Sequence, residues 1–319
     1  MATSRARVGG ARHAGGPSAR GGLRAGRHPR GIAERDLSGG WPQLRSVGSP
    51  VVTPRLRRTT TALAGLVTAL ALAACGEDLP DTVDPGQVDA VEAPDLGACR
   101  DLTTDDLVQS SNATRVVECT QPHTAMTYAV GPFPRTLDDL DYDAAEIGAF
   151  AFRTCSSEFV KLLGADESLA MRSVLTWAWF RPSKDAWDEG ARWYRCDVVG
   201  GSAQTDGLIE LPPNVRGLLQ RPEDEWLVCA LGDTVDDSIK LPCTQAHDWR
   251  AVSTIKLGEA ADPYPGDKAS EATTKDYCSQ SVGAWLGYPV DYDFGYTWFH
   301  QAEWDAGNRR SVCWAKTSQ

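Results

Sequence analysis

The sequence predicts an α+β protein built as two tandem disulfide-bonded repeats, each a small antiparallel sheet with one packed helix. Three observations carry this expectation. A four-cysteine frame is written twice: Cys99, Cys119, Cys155 and Cys196, then Cys229, Cys243, Cys278 and Cys313. Short β-branched runs recur at matching places in the two copies. One helix-like segment follows them in each copy.

The identity between copies extends beyond the cysteines. Cys119-Thr120-Gln121-Pro122-His123 returns as Cys243-Thr244-Gln245-Ala246-His247. Cys155-Ser156 with Leu163-Gly164 returns as Cys278-Ser279 with Leu286-Gly287, at equal spacing. Trp187-Asp188-x-Gly190-x-Arg192-xxx-Cys196 returns as Trp304-Asp305-x-Gly307-x-Arg309-xxx-Cys313. Such a run of matches in one order means an internal duplication.

The elements follow in chain order. Residues 1–54 are rich in Arg and Gly and carry no periodicity, so they are expected to be disordered, or to be a leader placed ahead of the true start at Val51 or Val52. Residues 55–74 read as a lipoprotein signal peptide. Arg55-Leu56-Arg57-Arg58 precedes an apolar run from Ala62 to Ala74, shorter than the about 20 residues that span a bilayer. Its ending, Leu72-Ala73-Ala74-Cys75, is similar to a bacterial lipobox, which makes Cys75 the expected lipidation site; an ordinary signal with a stray cysteine is the alternative. Two acyl chains suffice for stable anchoring. Residues 75–96 hold seven acids and three prolines after Cys75 and no basic residue, and read as a disordered acidic tether.

Repeat one is expected over residues 97–200, a linker over 201–225 and repeat two over 226–316. Strands are expected at 116–119, 127–130, 251–255, 175–180 and 296–300, with a last strand ending in Cys196 or Cys313. Helices are expected at about Tyr142–Leu163 and Lys268–Leu286, with Gly164 and Gly287 at their C-caps. Asp138, Asp139, Asp141 and Asp143 are expected before or in the first turn, favourable to the helix dipole. The linker carries Gly200-Gly201, Pro212-Pro213 and Pro222, but Leu208, Ile209, Leu211, Leu218 and Leu219 argue that part of it packs.

Eight cysteines beside Cys75 in an exported chain read as disulfides, since no Cys-x-x-Cys pair suggests a metal site. If each repeat closes on itself and both do so alike, three pairings remain. A helix-to-sheet bridge, Cys155–Cys196 and Cys278–Cys313, is geometrically natural and leaves Cys99–Cys119 and Cys229–Cys243.

Function is less legible. The whole chain has 32 basic and 43 acidic residues; without the 12 Arg and two acids of residues 1–74, 20 basic and 41 acidic residues leave −21. That opposes nucleic acid or an anionic lipid surface as partner and permits basic partners or cations. His123 and His247 are the candidate site histidines, but one per copy is too few for zinc, and a structural role in the turn after a bridged cysteine is the expectation. The acidic run lacks the Gly and the final Glu of an EF-hand loop. Trp187 and Trp304 keep fixed spacing to the bridged cysteine, as packing requires, although exposed aromatics can also serve as sugar platforms. Asn112-Ala113-Thr114 matches a glycosylation sequon by chance. No catalytic residue, metal or cofactor is expected.

The Gly97-Ala98-Cys99 start, the Cys119-x-x-Pro122-His123 element, the helix cysteine and the Trp-x-x-Gly-x-Arg-xxx-Cys strand together resemble the actinobacterial septum-formation-related domain family, in two tandem copies. The second copy departs at Ala246 and lacks the Gly-x-Cys start. The resemblance implies an extracytoplasmic envelope protein, anchored to the outer face of the cell membrane, with an association with division and no catalytic residues to carry over. The expected function is a non-enzymatic envelope lipoprotein, a two-module binding or scaffold protein whose partner is an envelope protein or cell-wall component. The competing expectations are an envelope glycan-processing hydrolase and a small-ligand or cation-binding lipoprotein.

Overall fold

A computed structural model describes residues 2–8 and 80–317. The expected signal at 55–74 and the lipidation site Cys75 lie outside the described residues.

Repeat one contains β2 (Cys99–Arg100), β3 (Val116–Val117), β4 (Ala125–Pro132), α1 (Ala145–Leu163), α2 (Glu167–Ala170), β5 (Leu175–Phe180), α3 (Lys184–Asp188) and β6 (Trp193–Gly200). Repeat two contains β7 (Val228–Leu231), β8 (Ile239–Pro242), β9 (Trp249–Lys256), α4 (Asp267–Trp285), β10 (Tyr292–Trp298), α5 (Gln301–Ala306) and β11 (Arg310–Lys316). The sheets run β3-β2-β4-β6-β5 and β8-β7-β9-β11-β10, the same order, with antiparallel pairing throughout. The α+β class and the duplication are therefore present in the fold itself. Even an irregularity is repeated. The β4–β6 register shifts between Thr127 and Ala129, and the β11–β9 register between Cys313 and Trp314. Each bulge sits beside the strand cysteine that a helix cysteine must reach.

The helices form for different reasons. α1 buries Ile147, Ala151, Cys155, Phe159, Leu162 and Leu163, one apolar face at helical spacing. α4 buries Ser270, Thr274, Cys278, Val282 and Gly283, a face of small and polar groups. Thr274 Oγ1 donates to Ser311 Oγ across that face at 2.9 Å. Gly164 closes α1 at φ 67°, the left-handed cap that a Cβ disfavours. The Asp run lies ahead of α1 and not in its first turn, where the acid is Glu146; Asp143 pairs instead with Arg181 at 2.7 Å.

The bridges are Cys99–Cys119, Cys155–Cys196, Cys229–Cys243 and Cys278–Cys313, the pairing expected from a helix-to-sheet bridge, with Cα separations of 4.9–5.6 Å. All stay within one repeat.

Several expectations are corrected. Between the aromatic strand and the last strand, where no helix was expected, Trp187-Asp188 ends a short helix α3 and Trp304-Asp305 lies in a short helix α5, with Gly190 and Gly307 turning the chain after them. Ser183 caps α3 by accepting from the Ala186 N–H, and the backbone N–H of His300 donates to Glu303 at the start of α5. The acidic segment is not a free tether from residue 80 onward. Asp84 N–H donates to the Ala113 carbonyl, Arg115 N–H to that of Thr82, and the Trp193 indole to that of Ala90. Backbone pairing of this kind holds the segment on repeat one despite its charge. Nor is all of residues 1–54 without structure: β1 (Ala2–Val8) pairs along the whole of β10, because an edge strand accepts any extended backbone.

The repeats are not independent modules. One buried cluster joins Phe159, Leu163 and Val198 of repeat one, Leu211, Val215 and Leu219 of the linker, and Trp226, Trp249 and Trp314 of repeat two. Val174 N–H donates to the Trp226 carbonyl and Val228 N–H to that of Arg172, both at 2.9 Å. Two cores of about 100 residues each are marginal alone, and pooling apolar surface through the linker relieves that.

Candidate functional site

Each repeat presents the same three-part construction beside the N-terminal end of its long helix. Trp187 is buried, with the Arg192 guanidinium 3.9 Å from its ring centroid and Tyr142 edge-on at 5.6 Å. Trp304 is buried likewise, with Arg309 at 3.8 Å and Tyr264 at 5.7 Å. The spacing in Trp-x-x-Gly-x-Arg now has a cause. The glycine turns the chain at positive φ, and the arginine folds back over the tryptophan. Arg192 donates to the carbonyls of Trp187, Ala191 and Asp138. Arg309 donates to those of Trp304, Asn308, Glu259 and Ala260. A planar five-donor fork suits this task, and lysine does not. Tyr142 and Tyr264 were not singled out in the sequence because their distances to the tryptophan differ between copies.

In repeat one this stack walls a shallow cleft of about 510 Å³, lined also by Asp138, Asp139, Asp141, Asp143 and Lys184. Arg181 is stacked 3.8 Å over Tyr142 and paired with Asp143. Asp139 and Asp141 are exposed at the rim. Such a surface can hold a polar or cationic group against aromatic rings. Among the described residues, no group of three or more His, Cys, Asp or Glu is placed to hold a metal ion.

The paired histidines lie elsewhere. His123 Nδ1 donates to the Gln121 carbonyl at 2.8 Å, and His247 Nδ1 to that of Gln245 at 2.7 Å. A carbonyl only accepts, so Nδ1 carries the proton. Both rings are buried, and each Nε2 has no protein partner among the described residues. The geometry is that of a turn clasp after the bridged Cys119 or Cys243. The two clasps are separate, one in each repeat.

Sequence reading missed a buried charge cluster. Arg100, Arg195 and Asp197 are all at most 1% exposed. Arg100 donates to Thr127 Oγ1 at 2.9 Å, and Thr127 donates to Asp197 Oδ1 at 2.7 Å. Arg195 pairs with Asp197 at 3.0 Å, lies over Phe180, and donates to Asn112. Asn112 is thus a partner of a buried guanidinium. Burial, and then Arg195, push Arg100 down to about 10. The signal was a break in the repeat: the equivalent positions are Ala230, Val312 and Trp314, an apolar set. Repeat two keeps one buried cation instead. Lys240 donates to the Val235 and Ser238 carbonyls beside the Trp314 ring, and burial pushes it down to about 8.

These features define a class: a duplicated α+β protein held by four disulfides, a composition consistent with an extracytoplasmic location. The protein-family model described as septum formation matches residues 96–313, a stretch that covers both repeats. The chain belongs to that septum-formation family, which relates it to septum formation and cell division. Comparison with curated proteins and with solved structures gives no match. Among the described residues, no helix is long and apolar enough to cross a membrane.

Proposed function

We propose that the chain is a non-enzymatic envelope lipoprotein, anchored through Cys75 to the outer face of the cell membrane, whose joined repeats bind or scaffold an envelope component at the division septum of an actinobacterial cell. The observation that carries the reading is the septum-formation match across both disulfide-bonded repeats. The ending Leu72-Ala73-Ala74-Cys75 supports the anchor. A shared core supports a scaffold, because it holds two similar surfaces in one fixed relation.

Two measurements test this. Detergent partitioning should place the wild-type chain in the membrane phase and release Cys75→Ala; equal retention of the two would reject the anchor. In-cell crosslinking followed by mass spectrometry should capture division or cell-wall proteins. Capture of cytoplasmic proteins alone would reject the envelope role.

A further inference from the structure

The two long helices end alike. Ala165 N–H donates to the Val160 carbonyl just after Gly164, and Tyr288 N–H donates to the Gly283 carbonyl just after Gly287. Both glycines hold positive φ. Leu162 and Leu163 of α1 therefore correspond to Trp285 and Leu286 at the end of α4.

What lies over the two ends differs. In repeat one the linker covers α1. Gly217 N–H donates to the Leu162 carbonyl at 2.7 Å, and Leu219 N–H to that of Leu163 at 3.0 Å. Val215 and Leu219 share a buried cluster with Phe159, Leu162 and Leu163, and Leu162 is 5% exposed. In repeat two, no described segment outside α4 donates a backbone N–H to the carbonyl of Trp285 or Leu286. The short helix α2 also has no counterpart between Gly287 and β10. Trp285 is consequently 49% exposed and Tyr288 73%. Together with Tyr277, about two turns before Trp285 on α4, they are the exposed aromatic side chains of the described residues. Tyr288 holds its ring there at φ 55°, a conformation that a Cβ disfavours. An apolar patch of this kind marks an interaction surface.

The duplication supplies the chemistry of the occupant. Residues 211–222, the segment over α1, hold Leu211, Val215 and Leu219, three prolines, and Arg216 and Arg221 with no acid. In repeat two, Asp291 is the one charged residue between Tyr277 and Tyr292, and the chain beyond residue 74 carries 41 acidic against 20 basic residues. A basic segment is favoured on such a surface, and a second acidic copy is opposed.

We propose that the C-terminal end of α4, around Trp285 and Tyr288, is a docking site for an extended, apolar and basic, proline-containing segment of a partner protein, which covers α4 as residues 211–222 cover α1. This names a partner surface within the scaffold reading and rests on that reading only for where the partner resides. The binding itself needs neither the anchor nor the septum.

The test uses the full chain and a labelled peptide with the sequence of residues 211–222. Binding should be saturable and should slow hydrogen exchange at residues 282–288. Trp285→Ser/Tyr288→Gly removes two exposed rings, and glycine accepts the backbone at 288. This variant should keep the wild-type circular dichroism and bind the peptide at least tenfold more weakly. Val215→Asp/Leu219→Asp in the peptide should also weaken binding at least tenfold, and Arg216→Glu/Arg221→Glu in the peptide at least threefold. The absence of saturable binding, equal binding by variant and wild type, or unchanged exchange at 282–288 would overturn the proposal. So would a wild-type dimer that the two substitutions dissociate, because the occupant would then be a second copy. Displacement of the peptide by an N-acetylglucosamine oligomer would overturn it too, because the rings would then be a sugar platform. Detergent partitioning and in-cell crosslinking decide the anchor and the septal placement separately, so that reading can fail while the docking site stands.

Discussion

Arg192 lies 3.9 Å over the ring of Trp187 and donates at 2.7 Å to the carbonyl of that same residue. One side chain thus packs the tryptophan and satisfies the end of its helix. Arg309 repeats the arrangement on Trp304.

Substitution at this arginine should separate charge from shape. Arg192→Leu strands three carbonyl contacts and should cost about 1–3 kcal/mol in denaturant unfolding. Arg192→Lys keeps the charge but not the fork, and should recover less than half of that loss. Full recovery by lysine would show that charge alone matters.

The turn histidines should act on stability and not on metal. His123→Ala and His247→Ala should each lower stability by about 1–3 kcal/mol. Because the repeats share a core, each variant should still unfold in a single transition. Calorimetry against zinc and calcium should find no heat in wild type. A variant that melts like wild type but loses a metal would overturn the clasp.

Thiol titration in denaturant, without reductant, should find none in a chain lacking Cys75. Mild reductant should open Cys99–Cys119 first, because Cys119 is partly exposed whereas Cys155, Cys196, Cys278 and Cys313 are fully buried. Removing the Cys155–Cys196 pair should cost about 2–5 kcal/mol. Peptide mapping that finds an inter-repeat bridge would contradict the fold.

Lys240 should make stability rise with pH. Its folded value is lowered from 10.5 to about 8, so below pH about 8 both states hold the proton and the burial cost is present in full. Between about 8 and 10.5 the unfolded chain binds more protons, and stability increases by at most about 1.4 kcal/mol per pH unit. Above pH 10 the half-buried Tyr128, its hydroxyl raised by desolvation, works in the opposite sense. Unfolding of wild type and Lys240→Met should therefore be compared at pH 7–9.5, where the wild type alone should gain from this group. Parallel curves would remove Lys240 as the cause.

What the sequence determined by itself is what local pattern and covalent spacing encode. The duplication, the helix over Ala145–Leu163, the Gly164 cap and the four bridges were all legible, because periodicity, φ > 0 chemistry and a repeated cysteine frame act over short spans. Septum-formation membership was legible for the same reason, from residues clustered around those cysteines. The tertiary structure alone decided what depends on distant surfaces meeting. Nothing in the local pattern says that Leu211, Val215 and Leu219 weld the repeats into one core. Nor does it say that Arg100, Arg195 and Asp197 meet inside repeat one, or that residues 2–8 lie against β10. Their energies come from burial and pairing between segments far apart in the chain, and those terms exist only once the chain has closed.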